Sequence, residues 1–93
     1  MLKISGLVIT YNEESNLEDC LKSLKPVVDE IVVVDSFSAD NTEEIAKRFG
    51  ARFIQNRFEG HIQQKNYAVD QAKFDWVLSL DADERLSDEL LPK

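Results

Sequence analysis

The chain has 93 residues, which is enough for one small domain with a single core. Apolar residues make up 43% of it and charged residues 31%, a balance that excludes a disordered chain. The net charge of -7 excludes a sequence-independent hold on nucleic acid, because such a hold needs clustered Lys and Arg against the phosphates. We therefore expect no nucleic-acid partner, and an anionic ligand would need a bridging cation or helix N-termini.

The sequence carries no sign of an oxidising or membrane environment. Its single cysteine, Cys20, has no partner for an internal disulfide, and its core-facing helical position predicts a small buried apolar residue. No segment approaches the ~20 consecutive apolar residues of a membrane span. We expect a cytoplasmic protein, with a peripheral position at the cytoplasmic face of the membrane as the alternative.

The first half of the chain predicts strand, helix, strand. Residues Ile4 to Ile9 and the β-branched run Ile31 to Val34 are apolar enough for buried strands. Between them, Ser15 to Lys25 has the periodicity of a helix, with Ser15 and Glu18 as a predicted capping box and Pro26 as the stop. The core-facing positions of this helix are Leu17, Cys20, Leu21 and Leu24.

A second helix is predicted after the second strand. Asp40 and Glu43 repeat the capping pattern, and Gly50 is a natural C-terminal stop. The apolar stripe of this helix consists of Ile45, Ala46 and Phe49.

The remaining elements continue the alternation. A short strand is predicted at Ala51 to Gln55, a third helix at Gly60 to Lys73, and a fourth strand at Trp76 to Leu80. We expect Trp76 to pack in the core and His61 to lie on a helix surface. Residues Ser87 to Leu91 have the pattern of a further helix start.

The order of elements predicts an α/β fold. Strands that alternate with helices through short connections favour a parallel sheet covered by helices on both faces. We therefore predict a Rossmann-like three-layer α/β/α architecture with a mainly parallel four-stranded sheet.

Polar side chains follow every predicted strand, where parallel sheets bind their ligands. No loop has the glycines of a dinucleotide-binding turn or of a P-loop, so both of those common sites are excluded. A phosphoacceptor receiver domain would need an Asp after the third strand, where this chain has Asn56. The residues after the strands are Thr10 to Glu14, Asp35 to Asp40, Asn56 with Arg57, and Asp81 to Glu84.

The Asp-x-Asp at Asp81 and Asp83 is the sharpest of these features. Two carboxylates that leave a buried strand can bind one Mg²⁺ or Mn²⁺, whose other ligands are phosphates and water. An EF-hand is excluded because Leu86 stands where its glycine is required. The open alternative is that the two Asp residues are solvated loop acids.

Four ordered motifs together resemble family 2 glycosyltransferases of the GT-A fold. The resemblance runs from Ile4 to the end of the chain, and Asp35 to Ser38 with Phe58 to Gly60 is most similar in wording to lipopolysaccharide-core glucosyltransferases. The four motifs are Val8 to Glu13, Val34 to Thr42, Gln64 to Asn66, and Leu80 to Asp83. The chain is thereby similar to the N-terminal, nucleotide-sugar-binding part of such a domain, over residues 1–93.

The resemblance implies roles for individual residues. Thr10, Tyr11 and Glu13 would line the base and ribose pocket, Asp35 would contact the base, and Lys65 would reach the nucleotide. Asp81 would lie near the ribose. Asp83 would bind the metal, together with Asp81. Many relatives have a second Asp where this chain has Ser36, which leaves base recognition at that position open.

The implied reaction is transfer of a sugar, with inversion, from a nucleotide-diphosphate sugar to a glycan or lipid-linked acceptor in envelope or lipopolysaccharide biosynthesis. We expect a UDP-sugar, an Mg²⁺ or Mn²⁺ cofactor and a catalytic base beyond Lys93, so no catalytic residue in this chain and no turnover by it alone. The alternative is a non-catalytic α/β binding or assembly module with an acidic rim. Exposed apolar sheet surface also predicts a homodimer at high concentration.

Overall fold

A computed structural model describes residues 3–82 of the chain, which form four strands and three helices in strict alternation. The elements are β1 (Ile4–Thr10), α1 (Glu14–Leu24), β2 (Glu30–Asp35), α2 (Thr42–Arg48), β3 (Arg52–Gln55), α3 (His61–Gln71) and β4 (Trp76–Asp81). Every element predicted within this range is present, with bounds shifted by one or two residues. Asp83 and the predicted helix start near Ser87 lie outside the described residues.

The four strands form one parallel sheet in the order β3-β2-β1-β4. Val8 on the central strand β1 is in register with Val33 on β2 and with Leu80 on β4. Parallel strands end at the same edge of the sheet, so the loops that follow β1, β2 and β4 meet there. This shared edge positions the candidate site.

Helices cover both faces of the sheet, because side chains along each strand alternate between two cores. On one face Val8 and Val33 pack against α1 and α2, and on the other Leu7 and Val32 pack against Ala68 of α3. The predicted three-layer α/β/α architecture is confirmed. Cys20 is fully buried in the first core, as its helical position predicted.

The predicted capping boxes are wrong for both helices. Helix α1 begins at Glu14, so Ser15 lies inside its first turn, and the residue before the helix, Glu13, makes no side-chain cap. Helix α2 begins at Thr42 after Asn41, which also makes no side-chain cap. Donors at the start of α1 are bound instead by the side chains of Asp40, in the loop that follows β2, and of Thr42, the first residue of α2. Local sequence does not reveal this long-range arrangement.

Helix α2 ends at Arg48, and the predicted stop, Gly50, follows two residues later. This glycine adopts a φ of 73°, in the left-handed region that favours glycine. Its N–H bonds the carbonyl of Lys47 at 3.0 Å, and the N–H of Ala51 bonds that of Ala46 at 3.1 Å. This pair of bonds is a Schellman motif, which turns the chain from α2 into β3.

Trp76 corrects another expectation, because its side chain is 59% exposed and does not pack in the core. It is the first residue of β4, and β4 lies at the edge of the sheet with a strand neighbour on one side. The neighbouring Val77 is also exposed. Within residues 3–82, no helix is long and apolar enough to span a bilayer.

Candidate functional site

A cavity of ≈ 240 Å³ opens at the carboxyl ends of β1, β2 and β4. It combines residues of the central strand, hydroxyl groups, two carboxylates and three aromatic rings. Its lining residues are Ile9, Thr10, Tyr11, Glu13, Ser36, Phe58, His61, Asp81 and Ala82. The loops after β1, β2, β3 and β4 therefore all reach this cavity, as the polar strand ends predicted.

Asp35 organises the floor of this region from a fully buried position. Its Oδ1 accepts the hydroxyl of Thr10 at 2.6 Å and that of Ser38 at 2.5 Å, and its Oδ2 accepts the Ser38 N–H at 2.8 Å. A buried carboxylate needs such donors, since desolvation without hydrogen bonds is costly. Asp35 thus fixes Thr10, which lines the cavity, to the loop after β2.

The loops after β1 and β2 are joined by reciprocal bonds of Asn12. Its N–H donates to the Ser38 hydroxyl at 2.7 Å, and its side-chain oxygen accepts the Ala39 N–H at 2.8 Å. Asn12 has a φ of 50°, in the left-handed region that Asn tolerates better than most residues. This turn carries its neighbour Tyr11 to the cavity, where the ring is 62% exposed.

Asp40 joins the same two loops at the start of α1. Its Oδ1 accepts the Thr42 N–H at 3.0 Å and the Thr42 hydroxyl, and its Oδ2 accepts the Glu14 N–H at 3.1 Å. The Thr42 hydroxyl oxygen in turn accepts the Glu13 N–H at 3.0 Å. Burial raises the pKa of Asp40, but the hydrogen bonds from Thr42 and Glu14 outweigh it and hold that pKa below its usual range.

Gln64 connects α3 to the ends of β2 and β3. Its side chain is 1% exposed, its Nε2 donates to the Ser36 hydroxyl at 3.0 Å and its Oε1 accepts the Asn56 Nδ2 at 2.9 Å. Ser36 is therefore held in the cavity wall by a buried amide. Each polar atom of this buried contact has a partner.

The aromatic side of the site is formed by residues that follow β3. Phe58, 47% exposed, meets His61 in an edge-to-face contact with 5.3 Å between ring centroids and 81° between planes. With Tyr11 and Ser36 these two rings line an adjoining cavity of ≈ 330 Å³. His61 is exposed at the start of α3, as predicted, but it also lines both cavities.

Asp81 brings a carboxylate to the cavity from the last residue of β4. The thiol of Cys20 lies 3.9 Å from the Asp81 carbonyl oxygen, a contact that ties α1 to the end of this strand. Among residues 3–82 no group of three or more His, Cys, Asp or Glu side chains could hold a metal alone. A cation at Asp81 would need further oxygen ligands, and Mg²⁺ commonly takes them from phosphates and water.

The structure places the predicted site residues in three groups. Thr10, Tyr11, Glu13 and Asp81 share the smaller cavity, and Asp35 lies buried beneath it. Lys65 is exposed on α3 and is not among the lining residues. Asp83, the predicted metal ligand, is outside the described part of the chain, so the roles of these residues stay predictions.

Sequence reasoning missed four contributors to the site. Phe58 had no periodic signal, and Gln64 was noted within a motif without a structural role. Asn12 and Ser38 lie in polar loops, and only the left-handed tolerance of Asn hints at its turn. The contacts of Asn12, Ser38 and Gln64 span 8 to 28 positions along the chain, which explains why local pattern did not reveal them.

Comparison with known proteins identifies the family. The model of glycosyl transferase family 2 matches residues 5–93. An uncharacterised glycosyltransferase of Rickettsia typhi is 46% identical over 90 residues, which cover 97% of this chain and 31% of the relative. The lipopolysaccharide core biosynthesis glycosyltransferase LpsC of Rhizobium meliloti is 37% identical over 100 residues, covering 99% of this chain and 37% of that protein.

Solved structures agree with this match. Glucosyl-3-phosphoglycerate synthase of Mycobacterium tuberculosis, in complex with Mn²⁺, UDP and glucosyl-3-phosphoglycerate, superposes with a TM-score of 0.76 at 28% identity. The alignment covers 87% of this chain and 33% of the synthase. TarS 1-349 of S. aureus gives a TM-score of 0.75 at 31% identity, over 95% of this chain and 29% of TarS.

The chain spans about a third of the length of the curated relatives it matches, 31% in the R. typhi protein and 37% in LpsC. The family match nevertheless extends over nearly all of the chain, and the parallel α/β architecture agrees with the GT-A enzymes it superposes on. The chain belongs to glycosyl transferase family 2.

Proposed function

We propose that this protein transfers a sugar from a nucleotide-diphosphate sugar, a UDP-sugar, to an acceptor, and that residues 1–93 hold the donor nucleotide. The observation that carries the proposal is the cavity at the carboxyl ends of the strands. There the residues Thr10, Tyr11, Glu13 and Asp81, predicted from the four motifs, lie together. Ligands of open parallel sheets bind at this edge.

The lining residues have chemistry suited to a nucleotide. The carboxylates of Glu13 and Asp81 can accept hydrogen bonds from ribose hydroxyls, and the exposed ring of Tyr11 offers a surface for a base. Asp35 accepts a hydrogen bond from Thr10, which lines this pocket, and is the proposed partner of the base. Lys65, exposed on α3, is the cation proposed to reach the phosphates.

We assign Mg²⁺ or Mn²⁺ as the cofactor, held by Asp83 with Asp81. The carboxylate of Asp81 at the cavity is a hard oxygen ligand of the kind these ions prefer, and a diphosphate would complete the coordination. A bound cation would neutralise charge on the departing nucleoside diphosphate. Mn²⁺ and UDP in the complex of the M. tuberculosis synthase, and Mg²⁺ and UDP in another of its complexes, support this assignment.

Inversion at the anomeric carbon follows from direct displacement of the nucleoside diphosphate by an acceptor hydroxyl. The base that takes the hydroxyl proton is proposed to lie beyond Lys93. The similarity to LpsC supports an acceptor in the lipopolysaccharide core or another envelope saccharide, and hence a reaction at the cytoplasmic side of the membrane.

A transfer assay tests this function. A protein that includes the sequence beyond Lys93, where the base is proposed to lie, is incubated with a panel of UDP-sugars, Mn²⁺ and deacylated lipopolysaccharide core oligosaccharides, and release of UDP is followed with the proton spectrum of the product. We expect a product of inverted anomeric configuration, and loss of turnover with EDTA or in an Asp83→Asn variant. Asp70→Asn, an exposed acid on α3, is the matched control and should retain turnover.

A retained anomeric configuration, or turnover that ignores both EDTA and Asp83→Asn, would contradict the proposed mechanism. Absence of UDP release with every acceptor, from a folded protein that also fails to bind UDP, would favour the non-catalytic binding module instead.

A further inference from the structure

The two adjoining cavities at the end of the sheet differ in chemistry. The smaller one includes the carboxylates of Glu13 and Asp81 and the hydroxyl of Thr10. The larger one, ≈ 330 Å³, is lined by Tyr11, Ser36, Phe58 and His61, and none of these described lining residues carries a carboxylate. Because the two share these last four residues, they form one continuous site with a polar half and an aromatic half.

The aromatic half exposes rings that a compact protein normally covers. Tyr11 is 62% exposed and Phe58 is 47% exposed. Exposed apolar surface of this kind, beside a polar site, marks a place where a ligand binds. A flat heteroaromatic ring fits this aromatic surface, because any nucleobase can stack on an aromatic side chain, whatever its hydrogen-bonding groups.

Phe58 is held in place by its local structure. His61 packs edge to face against it, and Gly60 between them has a φ of 136°, a conformation that L side chains rarely adopt. This glycine lets the chain turn from the loop after β3 into α3 so that both rings reach the cavity. Buried Gln64, one turn further along α3, anchors the helix against Ser36 and Asn56.

We infer that Phe58, braced by His61, is a wall of the nucleobase subsite and sets donor affinity by stacking on the base together with Tyr11. This inference rests on the proposed function, since it assigns the aromatic half of the site to the base and the polar half to ribose and diphosphate. A nucleoside diphosphate has this same division between a flat apolar ring and a charged, hydroxylated remainder.

The test compares two nucleotides by calorimetric titration into the protein with Mn²⁺. UDP has an aromatic base, whereas 5,6-dihydrouridine diphosphate keeps the hydrogen-bonding edge of uracil and loses its flat aromatic ring. We expect Phe58→Ala and Phe58→Leu to weaken UDP binding at least about fivefold, the lower end of what base stacking contributes. Binding of the dihydro nucleotide should fall much less, and Phe58→Trp should bind UDP at least as tightly as the wild type.

Ile62→Ala is the matched control, because Ile62 is 74% exposed on α3 and lines neither cavity. It should bind both nucleotides as the wild type does. Phe58→Leu keeps apolar volume and guards against a folding defect in Phe58→Ala, which circular dichroism would reveal.

The two failures are distinguishable. Wild-type affinity for UDP in a folded Phe58→Ala variant, or equal losses for UDP and the dihydro nucleotide, would overturn the stacking role alone. A folded wild-type protein that binds neither nucleotide would overturn the proposed function and this inference with it.

Discussion

Asp40 shows how single residues hold the site together. It is separated by 26 positions from Glu14, whose N–H it accepts, and it also accepts both donors of Thr42. The sequence predicted Asp40 as the cap of its own helix, yet its carboxylate serves the start of α1 as well. Its role is long-range, so the loops after β1 and β2 are positioned by the same side chain.

Replacement of Asp40 by Asn should lower stability in a pH-dependent way. The folded-state pKa of Asp40 is lowered, so its stabilisation is fully present above the unfolded value of about 3.9 and is lost as pH falls through the folded value. Asn keeps only one acceptor, and we expect a loss of about 1 kcal/mol in the free energy of unfolding at pH 7.

Urea unfolding from pH 7 down to pH 3 measures this effect, with Asp70→Asn as the matched surface control. The difference in the free energy of unfolding between wild type and Asp40→Asn should become smaller below about pH 4, where the carboxyl becomes protonated. A gap of constant size across this range would show that the charge of Asp40 does not contribute.

At the scale of elements, Gln64 determines how α3 sits against the sheet. The amide of buried Gln64 bonds Ser36 after β2 and Asn56 after β3, and both contacts are partly buried. A buried polar group without partners costs more than the hydrogen bond itself contributed. The position of α3, and with it the aromatic half of the site, therefore depends on this side chain.

Gln64→Leu should unfold more easily by about 1–3 kcal/mol, since it leaves Ser36 and Asn56 without their buried partner. Gln63→Leu changes an exposed residue of the same helix and should be close to neutral. Urea titrations of the two variants at one pH make the comparison. Equal stability of the two variants would contradict the assigned role of Gln64.

The elements themselves were predictable from sequence because their signals are local. The β-branched run at Ile31 to Val34 and the helical spacing of Leu17, Cys20, Leu21 and Leu24 record burial that the structure confirms. The role of Gly50 was also predictable from local sequence, because the left-handed φ it adopts after the helix favours glycine. The start of α1 was not predictable in this way, because the partners of its first donors, Thr42 and Asp40, are 26 to 29 positions away in the chain.

The site was predictable in part for a similar reason. Polar residues after parallel strands must meet at one edge, so the closeness of Thr10, Tyr11, Glu13 and Asp81 was predictable from position, whereas their nucleotide roles came from the family resemblance. The aromatic half was missed because Phe58 follows the short strand β3 and is brought to Tyr11 only by the packing of α3. Such tertiary placement leaves no periodic signal in the sequence.

At the scale of the whole molecule, strand β4 begins with exposed apolar side chains. It lies at one edge, and Trp76 and Val77 at its start are 59% and 40% exposed. Unpaired edges and exposed apolar side chains favour pairing with another chain. These features are of the kind on which the homodimer was predicted from the sequence, and the dimer stays a prediction.

Light scattering over a range of protein concentrations tests the dimer. We expect the mass to rise towards that of two chains at high concentration, and Trp76→Lys to keep the protein monomeric by placing a charge on the edge strand. Ile62→Lys, at an exposed site on α3, is the control. A wild-type monomer at millimolar protein would contradict association through β4.

The most direct test of the central claim is calorimetric titration of UDP into the protein, first with Mn²⁺ and then with EDTA. If the edge of the sheet is a donor site, UDP should bind with Mn²⁺, and EDTA or Asp81→Asn should weaken binding by at least about tenfold, because the cation links carboxylate to diphosphate. UDP affinity that is the same with EDTA, or no affinity in a folded protein, would contradict the account.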